Sequence, residues 1–119
     1  MSVTVDLFRN ETDFVRYGAG QTIFSEGELG DAMFVVLDGQ VALRVKGQLV
    51  ETLGAGGVLG EMALIDHAPR VASAVATTDA KLVPIEEKRF IFMVQQTPRF
   101  ALQIMRVMAE RLRKMDARL

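Results

Sequence analysis

From residue 12 to about residue 86 this chain reads as short strands cut at glycine corners, and any fold proposed for it must accommodate that rhythm. Asp38-Gly39 separates residues 34–37 from Val41–Val45, the pattern of a two-residue hairpin whose turn positions favour positive φ. In the second of those segments Val41, Leu43 and Val45 alternate with Ala42, Arg44 and Lys46, the period of two that marks a half-buried strand. Lys46-Gly47 makes another turn into Gln48–Leu53, and residues 71–77 and 81–85 supply two more strands. Many short antiparallel strands with glycine corners predict a closed barrel or jelly roll, which protects its edges.

After Ile85 the pattern changes. Glu86-Glu87 suits a helix start, where negative charge meets the positive end of the dipole. Phe90, Ile91, Met93 and Val94 then recur at helical spacing until Thr97-Pro98 interrupts, and a last long helix is predicted over 98–119. Ala101, Met105, Met108, Leu112, Met115 and Leu119 follow the four-three spacing of a coiled-coil seam, with Phe100, Ile104 and Val107 in a second stripe beside it. Two stripes suggest one face on the barrel and one on a second subunit, a homodimer through this helix. The other reading is a single broad stripe folded wholly onto its own barrel. The helix is also locally basic, with Arg106, Arg111, Arg113, Lys114 and Arg118 against Glu110 and Asp116. Cations near a helix C-terminus complement its dipole, and a nucleic-acid patch is the alternative explanation.

At 119 residues the chain is read as one domain, with a barrel over about 12–86 and helices over about 86–119. Fourteen basic against fifteen acidic residues argue against a surface built wholly for nucleic acid or anionic membrane. No cysteine is present, which excludes disulfides and thiolate chemistry and fits a reducing compartment. There is no secretory pattern and no apolar run approaching a membrane span, so a cytoplasmic location is expected. His67 is the single histidine and is read as a loop residue; a His-rich metal centre cannot be built from it. A triad would need it near Ser2, Ser25 or Ser73, and no nucleophile-elbow pattern supports one. No catalytic residue and no metal site are assigned.

Residues 57–75 carry the chemistry. A glycine-led short helix start, Glu61 and Arg70 lie within otherwise apolar chain. Helix-start N–H groups attract an anion, and Arg70 adds a planar, permanently charged fork that matches two phosphate oxygens. Glu61, acceptor-only when ionised, can take hydrogen bonds from ribose hydroxyls. That inventory suits a cyclic phosphodiester with its ribose. Arg70 could instead be a solvated surface arginine, but Val71, Ala72, Ala74, Val75 and Ala76 read as a packed strand, where an arginine needs an anionic partner. Glu61 could simply be a first-turn acid. Residues 54–60 superficially suggest a dinucleotide fingerprint, yet Leu59 stands where the third glycine belongs.

Gly60-Glu61-Met62-Ala63-Leu64 followed by Pro69-Arg70-Val71-Ala72-Ser73-Ala74 resembles the phosphate-binding cassette of cyclic nucleotide-binding domains, as found in catabolite activator proteins, regulatory subunits of cAMP-dependent protein kinase and cyclic nucleotide-gated channels. Tyr17 to Phe24, Glu26 to Asp31 and Asp38 to Val41 are similar to the family's barrel turns, in the family's order. The resemblance implies a mainly β fold with flanking α: an antiparallel β-roll (jelly-roll barrel), then a short helix and a long C-terminal helix. It implies a cAMP sensor for signal transduction and allosteric regulation, not an enzyme, with cGMP weaker and no cofactor. Gly60, Met62 and Ala63 would line the phosphate and ribose loop. Glu61 would hold the 2′-hydroxyl, and Arg70 the phosphate, assisted by Val71, Ala72 and Ser73. Many members carry Ser or Thr after the arginine, where this chain has Val71. Ile104, Met105 and Met108 are candidates for covering the base. No DNA-binding domain is expected within the chain. Two other readings are a dimerising interaction module that binds no ligand, and the sensor fragment of a longer transcription factor, channel or kinase regulator.

Overall fold

The computed structural model describes residues 13–116. The strands are β1 (Val15–Tyr17), β2 (Thr22–Phe24), β3 (Ala32–Asp38), β4 (Val41–Val45), β5 (Gln48–Leu53) and β6 (Val58–Leu59). After helix α1 (Glu61–Asp66) come β7 (Ser73–Ala76) and β8 (Ala80–Glu86), then helices α2 (Glu87–Gln96) and α3 (Arg99–Asp116). They form two four-stranded antiparallel sheets, ordered β1-β8-β3-β6 and β2-β7-β4-β5. The expected jelly-roll arrangement is present, as two open sheets rather than one closed ladder.

The first sheet is covered on both faces, which explains its nearly unbroken apolar strands. Met33 and Val35 of β3, Val58 of β6, and Val83 and Ile85 of β8 pack with Phe100, Ile104 and Val107 of α3. Their alternate neighbours Val36, Leu59 and Leu82 pack with Val41, Leu43 and Leu53 of the second sheet. Period two is thus present in β3, but with an apolar residue on either side it cannot be read as alternation. Pro84 is tolerated in β8 because β1 pairs with Ala80, Lys81 and Leu82 and, among the described residues, no strand pairs with that edge beyond them.

The predicted Asp38-Gly39 hairpin is corrected. β3 and β4 belong to different sheets and do not pair, and only Gly39 takes positive φ, at 90°. The bend is a corner between sheets, tied to the β7–β8 turn by Gln40 N donating to Thr78 Oγ1 and Thr77 N donating to the Gln40 carbonyl. A Cβ at position 39 would collide with the Asp79 carbonyl. The two-residue hairpin is instead at Lys46-Gly47, with φ of 51° and 80°, joining β4 to β5 with Val45 opposite Gln48.

The helices follow their sequence signals, with Glu86 as the N-cap of α2 and Thr97-Pro98 separating α2 from α3. On α3 the two stripes part. Phe100, Ile104 and Val107 are buried, whereas Met105 is 61% and Leu112 54% exposed. Met108 is partly buried against the core, Ala101 is half-buried, and the side chains of Met115 and Leu119 lie outside the described residues. His67 is an exposed loop residue, the left-handed C-cap of α1 with φ of 57°. Among the described residues no helix is long and apolar enough to cross a membrane.

Candidate functional site

Arg70 is held by the chain on every side. Its N–H donates to the Glu28 carbonyl and its carbonyl accepts from Gly27 N, both at 2.8 Å, so the cassette loop is laced to the β2–β3 loop. This lacing explains why β7 begins at Ser73 rather than at the expected Val71. The guanidinium lies over the Phe24 ring, 4.3 Å from its centroid, and Nη1 donates to the Gly60 carbonyl at 3.1 Å. A Cβ added at Gly30 or Gly60 would run into that guanidinium, so both positions are glycine because the arginine occupies the space. Arg70 is only 7% exposed, and its Nε is buried with no hydrogen-bond partner among the described residues. Burial lowers its pKa from the ordinary arginine value, against the pull of Glu28, Asp31 and Glu61.

Glu61 opens α1 and is 2% exposed. Its partner comes from the far end of the chain. Arg111 of α3 donates from Nη1 to Glu61 Oε1 at 2.5 Å, from Nε to Glu51 Oε1 of β5 at 3.0 Å, and from Nη2 to the Val58 carbonyl of β6. Burial alone would lower the Arg111 pKa, but Glu61 and Glu51 outweigh it and hold the guanidinium above its ordinary value.

Between these groups lies a cavity of about 80 Å³ lined by Gly60, Glu61, Met62, Ala63, Arg70, Val71 and Ala72, with Phe24, Leu43, Val45 and Val50 as an apolar wall. Glu51 and Arg111 complete the lining. Of the cassette residues read from the sequence, Ser73 stands apart: its Oγ accepts from Glu26 N at 2.9 Å and is used to fix the β2–β3 loop. None of Ile104, Met105 and Met108 lines the cavity. Ile104 is buried in the core, Met105 points to solvent and Met108 packs on the core edge. The α3 residue at the cavity is Arg111. It follows Phe100, Ile104 and Val107 at four-three-four spacing, and a lone charge on a buried stripe was the signal that could have found it. Among the described residues no group of three or more His, Cys, Asp or Glu side chains is gathered as a metal site.

Known proteins share this fold. The family model of the cyclic nucleotide-binding domain matches residues 14–97. The cyclic AMP receptor protein of Thermus thermophilus is 35% identical over 108 residues, covering 87% of this chain and 50% of that protein. A CRP-like cAMP-activated global transcriptional regulator of Mycobacterium tuberculosis is 29% identical over 105 residues, covering 84% of this chain and 47% of that protein. This chain therefore spans about half the length of these relatives. Among solved structures, the Thermus thermophilus catabolite activator protein superposes with a TM-score of 0.80 at 34% identity, over 96% of this chain and 56% of that one. A cAMP-bound PfPKA-R structure superposes with a TM-score of 0.78 at 25% identity, over 87% of this chain and 36% of that one. Cassette, two-sheet fold and matched relatives together establish that this chain belongs to the cyclic nucleotide-binding domain family.

Proposed function

We propose that this domain is a cAMP sensor, not an enzyme, and that the cavity beside Arg70 is its nucleotide site. The observation that carries the reading is the Arg70 Nε, a buried donor of a permanent cation without a partner among the described residues. Leaving such a donor unmet costs roughly 1–3 kcal/mol, and a phosphate oxygen would meet it. In this reading the cyclic phosphate accepts from Arg70, and the ribose 2′-hydroxyl donates to Glu61. The base lies against Leu43, Val45 and Val50, next to Val71. Each charge-assisted bond contributes roughly 1.5–3 kcal/mol, so a few of them with base burial reach micromolar affinity or better.

Relay follows from connectivity. Arg111 ties Glu61 to α3, so a ligand hydroxyl arriving at Glu61 changes the partners of a residue on the last helix. The exposed Met105 and Leu112 lie on that same helix, and we assign them to a homodimer seam. The relatives' lengths favour a second element of the reading, a sensor module within a longer regulator. Calorimetric titration with cAMP, cGMP and 2′-deoxy-cAMP tests the assignment. Arg70→Ala should weaken cAMP binding by about 3–5 kcal/mol with the fold intact, and Arg70→Lys should recover only part of that loss. Equal affinity in wild type and Arg70→Ala would end it.

A further inference from the structure

The cavity contains a carboxylate that the nucleotide reading leaves without a task. Glu51 faces the buried Leu43 across the β4–β5 ladder, and accepts from Arg111 Nε. Each nitrogen of the Arg111 guanidinium therefore meets a different element: Nε meets Glu51, Nη1 meets Glu61 and Nη2 meets the Val58 carbonyl. A guanidinium facing a single carboxylate favours two parallel N–H contacts. Here the Glu61 contact is single, at Oε1.

We infer that Glu51 is a positioning residue for nucleotide recognition: by holding Nε it keeps Arg111 from closing two-pronged on Glu61, and so leaves one Glu61 oxygen for the ribose hydroxyl. This rests on the reading of Glu61 given above. With Glu51 in place one cation is shared between two carboxylates in a poorly solvated site, where such attractions are strong. Without Glu51 the whole cation faces Glu61, the released Nε side turns onto it, and the 2′-hydroxyl must displace an N–H already bound.

The test is the affinity gap between cAMP and 2′-deoxy-cAMP, measured by calorimetry on the full chain and its variants. Wild type should show a gap of about tenfold or more, the equivalent of one charge-assisted hydrogen bond. Glu51→Leu should shrink the gap to within about threefold of unity, chiefly by weakening cAMP. Glu51→Gln keeps an acceptor for Nε and should lie between. Adding Arg111→Lys to Glu51→Leu should reopen the gap, because an ammonium cannot fork. If Glu51→Leu folds poorly, the Glu51→Gln result and its reversal by Arg111→Lys decide the matter alone. A residue that only supports the fold would weaken both ligands alike and leave their ratio unchanged, and that result would overturn the inference while the nucleotide reading stood. A wild type that binds neither ligand, or binds both equally, would overturn the reading of Glu61 and the inference with it.

Discussion

Replacing Arg111 with leucine removes the cation on which the lower half of the site is assembled. Arg111 and Glu51 are 11% and 14% exposed at their side chains and Glu61 is 3% exposed, so solvent screens little of the loss. Breaking a buried pair by deleting one partner costs about 3–5 kcal/mol, because the surviving charge stays buried. Two carboxylates and the Val58 carbonyl are stranded here, which puts Arg111→Leu at the upper end of that range. For a chain between the 100- and 150-residue classes this corresponds to a fall of roughly 10–20 °C in melting temperature. Urea and thermal unfolding followed by circular dichroism, without nucleotide, would measure it. Leucine is a good helix former, so α3 itself is not at fault if stability drops. The control is Arg111→Leu combined with Glu51→Gln and Glu61→Gln, which removes the stranded charges and should return to within about 1.5 kcal/mol of wild type. The raised Arg111 pKa fixes the pH behaviour. A base whose folded pKa exceeds its unfolded value contributes fully below the unfolded value, so the contribution of the cation itself should be constant across ordinary working pH. A single variant within about 1 kcal/mol of wild type, or a triple variant no better than the single one, would refute the reasoning.

Three other outcomes follow from the same geometry. Gly30→Ala adds a Cβ where the Arg70 guanidinium lies, at a glycine whose backbone is not left-handed, so it should weaken cAMP by about tenfold or more while melting near wild type; unchanged affinity would show that Arg70 does not need that cradle. If the exposed α3 stripe is a seam, Met105→Glu with Leu112→Glu should leave a folded monomer by sedimentation, because neither residue belongs to the buried core; a wild type that is already monomeric at high concentration would remove the seam. Val71 lines the cavity with two methyls and no donor, so cAMP should exceed cGMP by roughly tenfold, and Val71→Thr should narrow the preference by improving cGMP; side-by-side titration giving equal wild-type affinities would contradict this.

What was legible in the sequence was local chemistry. The short helix start at Gly60-Glu61, the α2 start at Glu86-Glu87 and the break at Thr97-Pro98 were each set by a few neighbouring residues with strong conformational preferences. What escaped was pairing at a distance. Asp38-Gly39 has the composition of a hairpin, but two sheets compete for its flanking strands, and β3 is claimed by β6 and β8. In the sequence Arg111 is one of several basic residues suited to a helix C-terminus. Its partners at positions 51, 58 and 61 are some fifty residues away or more, and no local pattern announces them. Ser73 shows the converse, a cassette position whose hydroxyl is spent on the neighbouring loop.

The reach of Arg111 also makes α3 a keyed shaft. Phe100 sets its angle against the core, and Arg111 arrives at the site about three turns and 16 Å later. Inserting or deleting one residue between them would rotate everything beyond by about 100°, carrying the guanidinium off the cavity and swinging the exposed Leu112 round with it. Point substitution on the outer face leaves that phase alone; a change of length does not. Drift in such a lineage is therefore expected to alter the letters of this helix freely on its solvent side while leaving the count between Phe100 and Arg111 fixed.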